Sequence, residues 1–289
     1  MPVGKAPLLS LAATDIAIER MSDAPATDTS GGTSGSITSE QNAGNQGALK
    51  PTTLQGGVAH AETLPGLSAG LKVGRVYSDD LFDLESSPSN NDWFYVPKWY
   101  AGVRHSEYAL IISRYDYDTE ETTSPMLKQL NRQDARAGYQ VDANGGIWDY
   151  KKVPMIQHVE ADTCDAVLYL RALTPISGSD DRLVIKYNEI SVSIDKRTKK
   201  ILQIVQQEQI NTVTSPTPGT LRVDISVKSF DADGQPQRQE QSVMITKIVK
   251  PFEKIDQLNG QDLRPLFRDY LISHHLEKLV PPDLAKASP

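Results

Sequence analysis

Hydrophobic and polar positions alternate most cleanly between Leu221 and Lys228. Leu221, Val223, Ile225 and Val227 share one parity, and Arg222, Asp224, Ser226 and Lys228 the other. Period two of this kind predicts a half-buried antiparallel strand. Similar strand signals run through Tyr108–Tyr115, Ala166–Leu173, Leu183–Tyr187, Ile201–Val213 and Gln237–Val249. Turn residues separate them: Ala143-Asn144-Gly145, Thr174–Asp180, Lys196–Lys199, Pro216–Gly219 and Asp231–Gly234. Along Leu183–Ile194 the apolar parity changes. It moves from Leu183, Ile185 and Tyr187 to Ile190, Val192 and Ile194. An extra residue switches the face of a strand, so a β-bulge is expected near Asn188–Glu189.

The pattern changes after Asn259-Gly260. Asp262 is placed to cap a helix with Pro265 in its first turn. Leu263, Leu266, Phe267, Tyr270, Leu271 and His274 follow at helical spacing, and Pro281-Pro282 ends the run. The expected fold is mainly β: an antiparallel meander closing as a barrel or sandwich, with a C-terminal α-helix over about 261–279 and a long disordered-type N-terminal tail. Domain 77–289 is the β domain and 1–76 is the tail.

Composition supports that division. All 19 aromatic residues lie from Tyr77 onward, and ten of the 19 glycines fall within 1–70. The stretch 22–70 is rich in small polar residues and has no apolar period. It buries too little surface to offset its ordering entropy and is expected to be disordered alone. Leu8, Leu11, Ala12, Ile16 and Ile18 suggest a short amphipathic helix that would need a partner.

The net charge is −7, and neither part of the chain is basic. A phosphate backbone is repelled on average, so no nucleic-acid partner is expected. No run approaches the ~20 apolar residues of a membrane-spanning helix. One cysteine, Cys164, leaves no disulfide within the chain.

Candidate chemistry is sparse, and no cofactor motif appears. A weak calcium loop is read from Asp231, Asp233 and Glu240, at positions three, five and twelve of a loop starting at Ser229. Ser in the first ligand position, Pro236 and strand-like flanks favour a hairpin turn there. His60, His105, His158, His274 and His275 show no zinc spacing. Gly-x-Ser-x-Gly is absent. Asp116, Asp118, Glu120 and Glu121 are the densest acidic group, and a sugar-processing pair would need two such groups converging. Gln203, Gln206, Gln207 and Gln209 crowd one strand and are expected to face water or a polar interior.

These absences favour a non-enzymatic structural or assembly subunit of a larger complex, with the tail binding neighbouring protein subunits in a homo-oligomer or mixed assembly. A bacterial envelope, periplasmic or secretion machine, or a virion, is the expected setting. Contact residues are sought among Leu8, Leu11, Ile16, Trp93, Phe94 and Trp99, the last three better suited to a core. Gly146-Ile147-Trp148 is similar in form to the Gly-x-Trp of lipocalins, although it follows a mid-chain hairpin. That resemblance implies an alternative: a carrier of a small apolar ligand, with Trp148, Tyr169 and Tyr187 lining its cavity. An enzyme acting on a sugar is the third alternative.

Overall fold

The computed structural model describes residues 59–83, 92–160 and 164–285. The strands, in chain order, are β1 (Trp93–Val96), β2 (Gly102–Asp116), β3 (Glu121–Thr123), β4 (Leu127–Ala137), β5 (Gln140–Val141) and β6 (Ile147–Tyr150). They continue with β7 (Met155–Glu160), β8 (Asp165–Gly178), β9 (Arg182–Ile194), β10 (Ile201–Thr217), β11 (Thr220–Phe230) and β12 (Pro236–Pro251). Helix α1 is Leu263–Ser273, and the single-turn α2 is Pro282–Ala285. The chain is thus mainly β, and its paired strands are antiparallel.

Nine strands form one sheet in the order β3-β2-β12-β11-β10-β9-β8-β7, with β4 also paired to β2. From β7 to β12 this is the expected meander. It does not close. Among the described residues the β7 edge and the β3/β4 edge have no pairing with each other, so the barrel alternative is corrected to an open sheet. Closure is not needed to cover the apolar surface, because a second sheet, β1-β6-β5, packs on it. Alternation along β1 and β6 splits the work of that small sheet. Phe94, Val96 and Ile147 join the core against the large sheet. Trp93, Trp148 and Tyr150 join Leu263, Phe267 and Leu271 of α1 on the other side. The layers are therefore large sheet, small sheet and helix.

Helix α1 begins where the residues dictate. The Asp262 carboxylate accepts the Arg264 N–H at 3.0 Å, which satisfies one of the unpaired donors of the first turn. Leu263, Phe267 and Leu271 are fully buried, at the i, i+4, i+8 spacing of one helix face. The helix ends earlier than expected, at Ser273, with a 3-10 turn at Glu277–Leu279 beyond it.

The parity change in β9 has a different cause from the expected one. Against β10 the β9 register runs unbroken from Arg182 to Ser193. Leu183, Ile185 and Tyr187 pack on the first face of the large sheet with Val213, Leu221, Val223 and Ile225. Ile190, Val192 and Ile194 pack on the second face with Leu71, Leu81 and Phe82. One straight strand thus serves two cores on opposite faces. The extra residue at this level lies on β8, where Arg171 falls out of register opposite Asn188–Glu189.

The second core exists because residues 60–83 lie along the second face, although the sequence places 60–76 in the tail. Leu64 N donates to Gly234 O at 2.9 Å and Leu67 N to Ala232 O at 2.8 Å. Further along, Gly74 N donates to Ile201 O, Ile201 N to Arg75 O, and Tyr77 N to Lys199 O. The Phe82 ring stacks on Tyr169 at 4.4 Å. Gly234 makes the close approach possible, since its φ is +82° and a Cβ there would sit 1.8 Å from Leu64 O. Residues 1–58, including Leu8, Leu11 and Ile16, lie outside the described residues.

Candidate functional site

Three places combine buried polar chemistry with an opening or a covering segment. The first is the second face beneath residues 60–62. Glu208 on β10 and Lys228 on β11 are directly paired across the strands. Both are buried. Glu208 Oε1 meets Lys186 Nζ of β9 at 2.5 Å, and Oε2 accepts the Ala61 N–H at 2.8 Å. Lys228 Nζ donates to the carbonyls of Ala61 and Glu62 at 2.8 and 3.1 Å. Gln206 Nε2 donates to Pro65 O at 3.1 Å. A row of charged and amide side chains on the sheet therefore holds the backbone of the segment crossing it.

Burial alone would raise the Glu208 pKa. The contacts from His60, Lys186 and the Ala61 N–H outweigh it and pull the value from 4.5 to about 2. A carboxyl depressed in the folded state contributes stability above its unfolded pKa. That contribution is lost as pH falls through the folded value. The chain is therefore expected to lose stability between about pH 4.5 and 2. Urea unfolding across that window should show a weaker pH dependence for Glu208→Gln. An equal dependence in both proteins would remove Glu208 as the source.

The same cluster places Ser226 Oγ 2.8 Å from His60 Nε2, and His60 Nδ1 3.5 Å from Glu208 Oε2. The order serine, histidine, carboxylate is that of a nucleophilic triad. Its surroundings do not support that chemistry. Ser226 is buried at mid-strand on β11, beneath the segment that carries His60. Glu208 is already held by Lys186 and by the Ala61 N–H. The arrangement is an anchor for the segment.

The second place lies between the two sheets. Arg104 stacks over Tyr100 at 4.1 Å. Asp149 of β6 accepts the Gly138 N–H at 2.8 Å. Burial raises the Asp149 pKa against the opposing pull of Lys151, the Gly138 N–H and Arg104. Burial also raises Tyr187. The adjacent space, lined by Tyr100, Arg104, Gln133, Tyr187, Asn211 and Thr246, is about 40 Å³. This is far below the ~300–1,000 Å³ of a small-molecule site.

The third is a cleft of about 590 Å³ between α1 and the small sheet, lined by Asp92, Trp93, Tyr150, Leu266, Asp269, Tyr270, Ser273 and His274.

The residues singled out from sequence are dispersed among these places. Trp148 packs against α1, Tyr169 lies in the core under Phe82, and Tyr187 lies between the sheets. They do not line a common cavity. Trp93 and Phe94 are buried on opposite sides of β1, and Trp99 packs at the margin of the first core. Asp231 Oδ1 accepts the N–H groups of Asp233 and Gln235 at 2.9 and 2.8 Å, as a hairpin-turn residue does. Glu240 is paired with Arg114 at 2.7 Å. Among the described residues no three potential ligating side chains converge. Asp116 accepts the N–H groups of Asp118 and Thr119 in an exposed turn. Gln206, Gln207 and Gln209 are buried.

Sequence reasoning missed Glu208, Lys228 and His60 as a group. The available signal was a charged residue in mid-strand at two buried positions. The partner that satisfies them lies about 150 residues away in a segment with no strand pattern.

One surface is left open. On the second face, beside the covered half, Leu130 pairs with Tyr108, Leu110 pairs with Val243, and Ile245 lies across from the bulge at Glu107–Tyr108. Leu130 is 78 % exposed, Ile245 50 % and Tyr108 43 %. Lys128 covers part of the Tyr108 ring at 4.7 Å. Among the described residues no helix is long and apolar enough to cross a membrane. Comparison with known proteins finds no family, no curated protein and no solved structure that matches this chain.

Proposed function

We propose that the chain is a non-enzymatic assembly subunit whose N-terminal segment docks on the exposed apolar stripe of a second copy. The stripe formed by Leu130, Tyr108 and Ile245 carries this reading. It crosses three adjacent strands, and contiguous apolar exposure of this kind marks interaction surfaces. The chain already uses its own residues 60–83 to cover the neighbouring half of the same face.

The occupant is the apolar series Leu8, Leu11 and Ile16. The residues between Ile16 and Ala59 are mostly small and polar. The 42 residues from Ala17 to Val58 reach at most roughly 140 Å when fully extended. This is enough to reach a neighbouring molecule. Once one tail has docked, docking of the second copy's tail on the first is intramolecular, at an effective concentration on the millimolar scale. The edge strands β4 and β7, each paired on one side only among the described residues, give the sheet further means of joining neighbours.

Complementation between two variants tests the reading. One variant lacks residues 1–20, and the other carries Leu130→Lys and Ile245→Lys. Each alone is expected to sediment as a monomer at concentrations where the intact chain associates. Their mixture is expected to form a one-to-one dimer through the one intact tail and the one intact stripe. Association of either variant at the level of the intact chain, or no dimer in the mixture, would reject the proposal.

A further inference from the structure

Lysines border the exposed apolar stripe. Lys247 follows Ile245 on the same side of β12, and Lys128 precedes Leu130 on the same side of β4. Lys250 lies across from Val103, farther along the same face. All three are exposed. Among the described residues none of the three is in an ion pair. The carboxylates of this half already have partners. Asp134 and Glu107 meet His105 at 2.6 and 3.9 Å, and Asp224 meets Arg222 at 2.7 Å. Arg136 donates to the Glu253 carbonyl at 3.2 Å. These cations outnumber these carboxylates, in a chain whose net charge is −7.

The segment assigned to this stripe has the opposite sign. Residues 8–28 contain Asp15, Glu19, Asp23 and Asp28 against Arg20 alone. Asp15 and Glu19 stand at the Ile16 end of the apolar series, away from Leu8. An apolar contact by itself sets no direction. Leu8, Leu11 and Ile16 fit across Leu130, Tyr108 and Ile245 either way round. Charge at one end of each partner removes that ambiguity, because like charges brought together oppose the wrong arrangement.

We infer that Lys247 and Lys250 pair with Asp15 and Glu19 of a neighbouring copy. The pairing fixes the direction in which the segment crosses the stripe and makes assembly depend on ionic strength. The inference rests on the docking of that segment on the stripe. With Ile16 at Ile245, both acids reach the two lysines of β12. The reverse direction offers them only Lys128, which already lies over the Tyr108 ring at 4.7 Å. It would also carry Lys5 towards Lys247 and Lys250.

Sedimentation of the full chain tests the pairing. Self-association should weaken roughly fivefold between about 0.1 and 1 M NaCl, as the Debye length falls from ~10 to ~3 Å. Lys247→Glu with Lys250→Glu should weaken it about tenfold, and so should Asp15→Lys with Glu19→Lys. All four changes in one chain should restore it to within about threefold of the intact level. The changes at Asp15 and Glu19 leave the sheet untouched, so they decide the matter if those at Lys247 and Lys250 disturb the fold. Undiminished association of the reversed chains, or reversal without rescue, overturns the pairing. The docking itself survives that result if removal of residues 1–20 still abolishes association. If removal of residues 1–20 has no effect, the docking fails and the pairing with it. Capture of the chain by phosphatidylserine vesicles that is lost on Lys247→Glu with Lys250→Glu, without self-association, would assign the lysines to an anionic membrane and overturn the pairing too.

Discussion

A chain that begins at Tyr77 is expected to unfold at markedly lower urea concentration than one that begins at Ala59, with a difference of about 5 kcal/mol. The longer chain retains the segment that the sequence assigns to the tail. Removing it uncovers Ile190, Val192 and Ile194, which have Leu71 against them on the second face. Losing the burial of Leu71 alone costs about 2 kcal/mol. The larger part is electrostatic. Glu208 and Lys228 would keep their positions at mid-strand but lose the Ala61 N–H and the carbonyls of Ala61 and Glu62. Removing the partners of buried charges costs about 3–5 kcal/mol, although re-entry of water reduces this for residues at a sheet face. Equal urea midpoints for the two chains would show that residues 59–76 add nothing to the fold.

The same contacts explain why this segment was not legible as structure. Residues 60–76 contain no aromatic residue and no period, so their apolar content predicts no core. They are ordered by backbone hydrogen bonds to turns at Lys199–Ile201 and Ala232–Gly234 and by charged side chains on strands far away. Pairings over such separations leave no local pattern. The elements that depend on neighbouring residues were legible. The Leu221–Lys228 alternation became β11, Asp262 became the cap, and the Asn144-Gly145 turn joined β5 to β6.

The parity change in β9 is visible in the sequence, but its cause is not. A sequence cannot distinguish a strand that changes face from a strand with a core on each face. Only the covering segment decides between them. The same limit hid the cleft. Asp92 and Asp269 are 177 positions apart, and neither has a motif around it.

Phe267→Ala is expected to cost about 3–5 kcal/mol, the usual range for a fully buried phenylalanine. The side chain is completely enclosed, with Trp93 at 4.8 Å and Trp148 at 5.7 Å between ring centroids. Truncation leaves a void between two tryptophans that are themselves fixed by β1 and β6, so the site has little freedom to collapse. The loss should fall on α1 and the small sheet first, because Phe267 does not touch the second-face core. Near-ultraviolet circular dichroism reports on Trp93 and Trp148, and its signal should weaken at urea concentrations where the far-ultraviolet strand signal is intact. Coincident loss of both signals would mean that helix, small sheet and large sheet unfold as one unit. The cleft on the outer wall of α1 would then share the stability of the whole β domain instead of opening on its own.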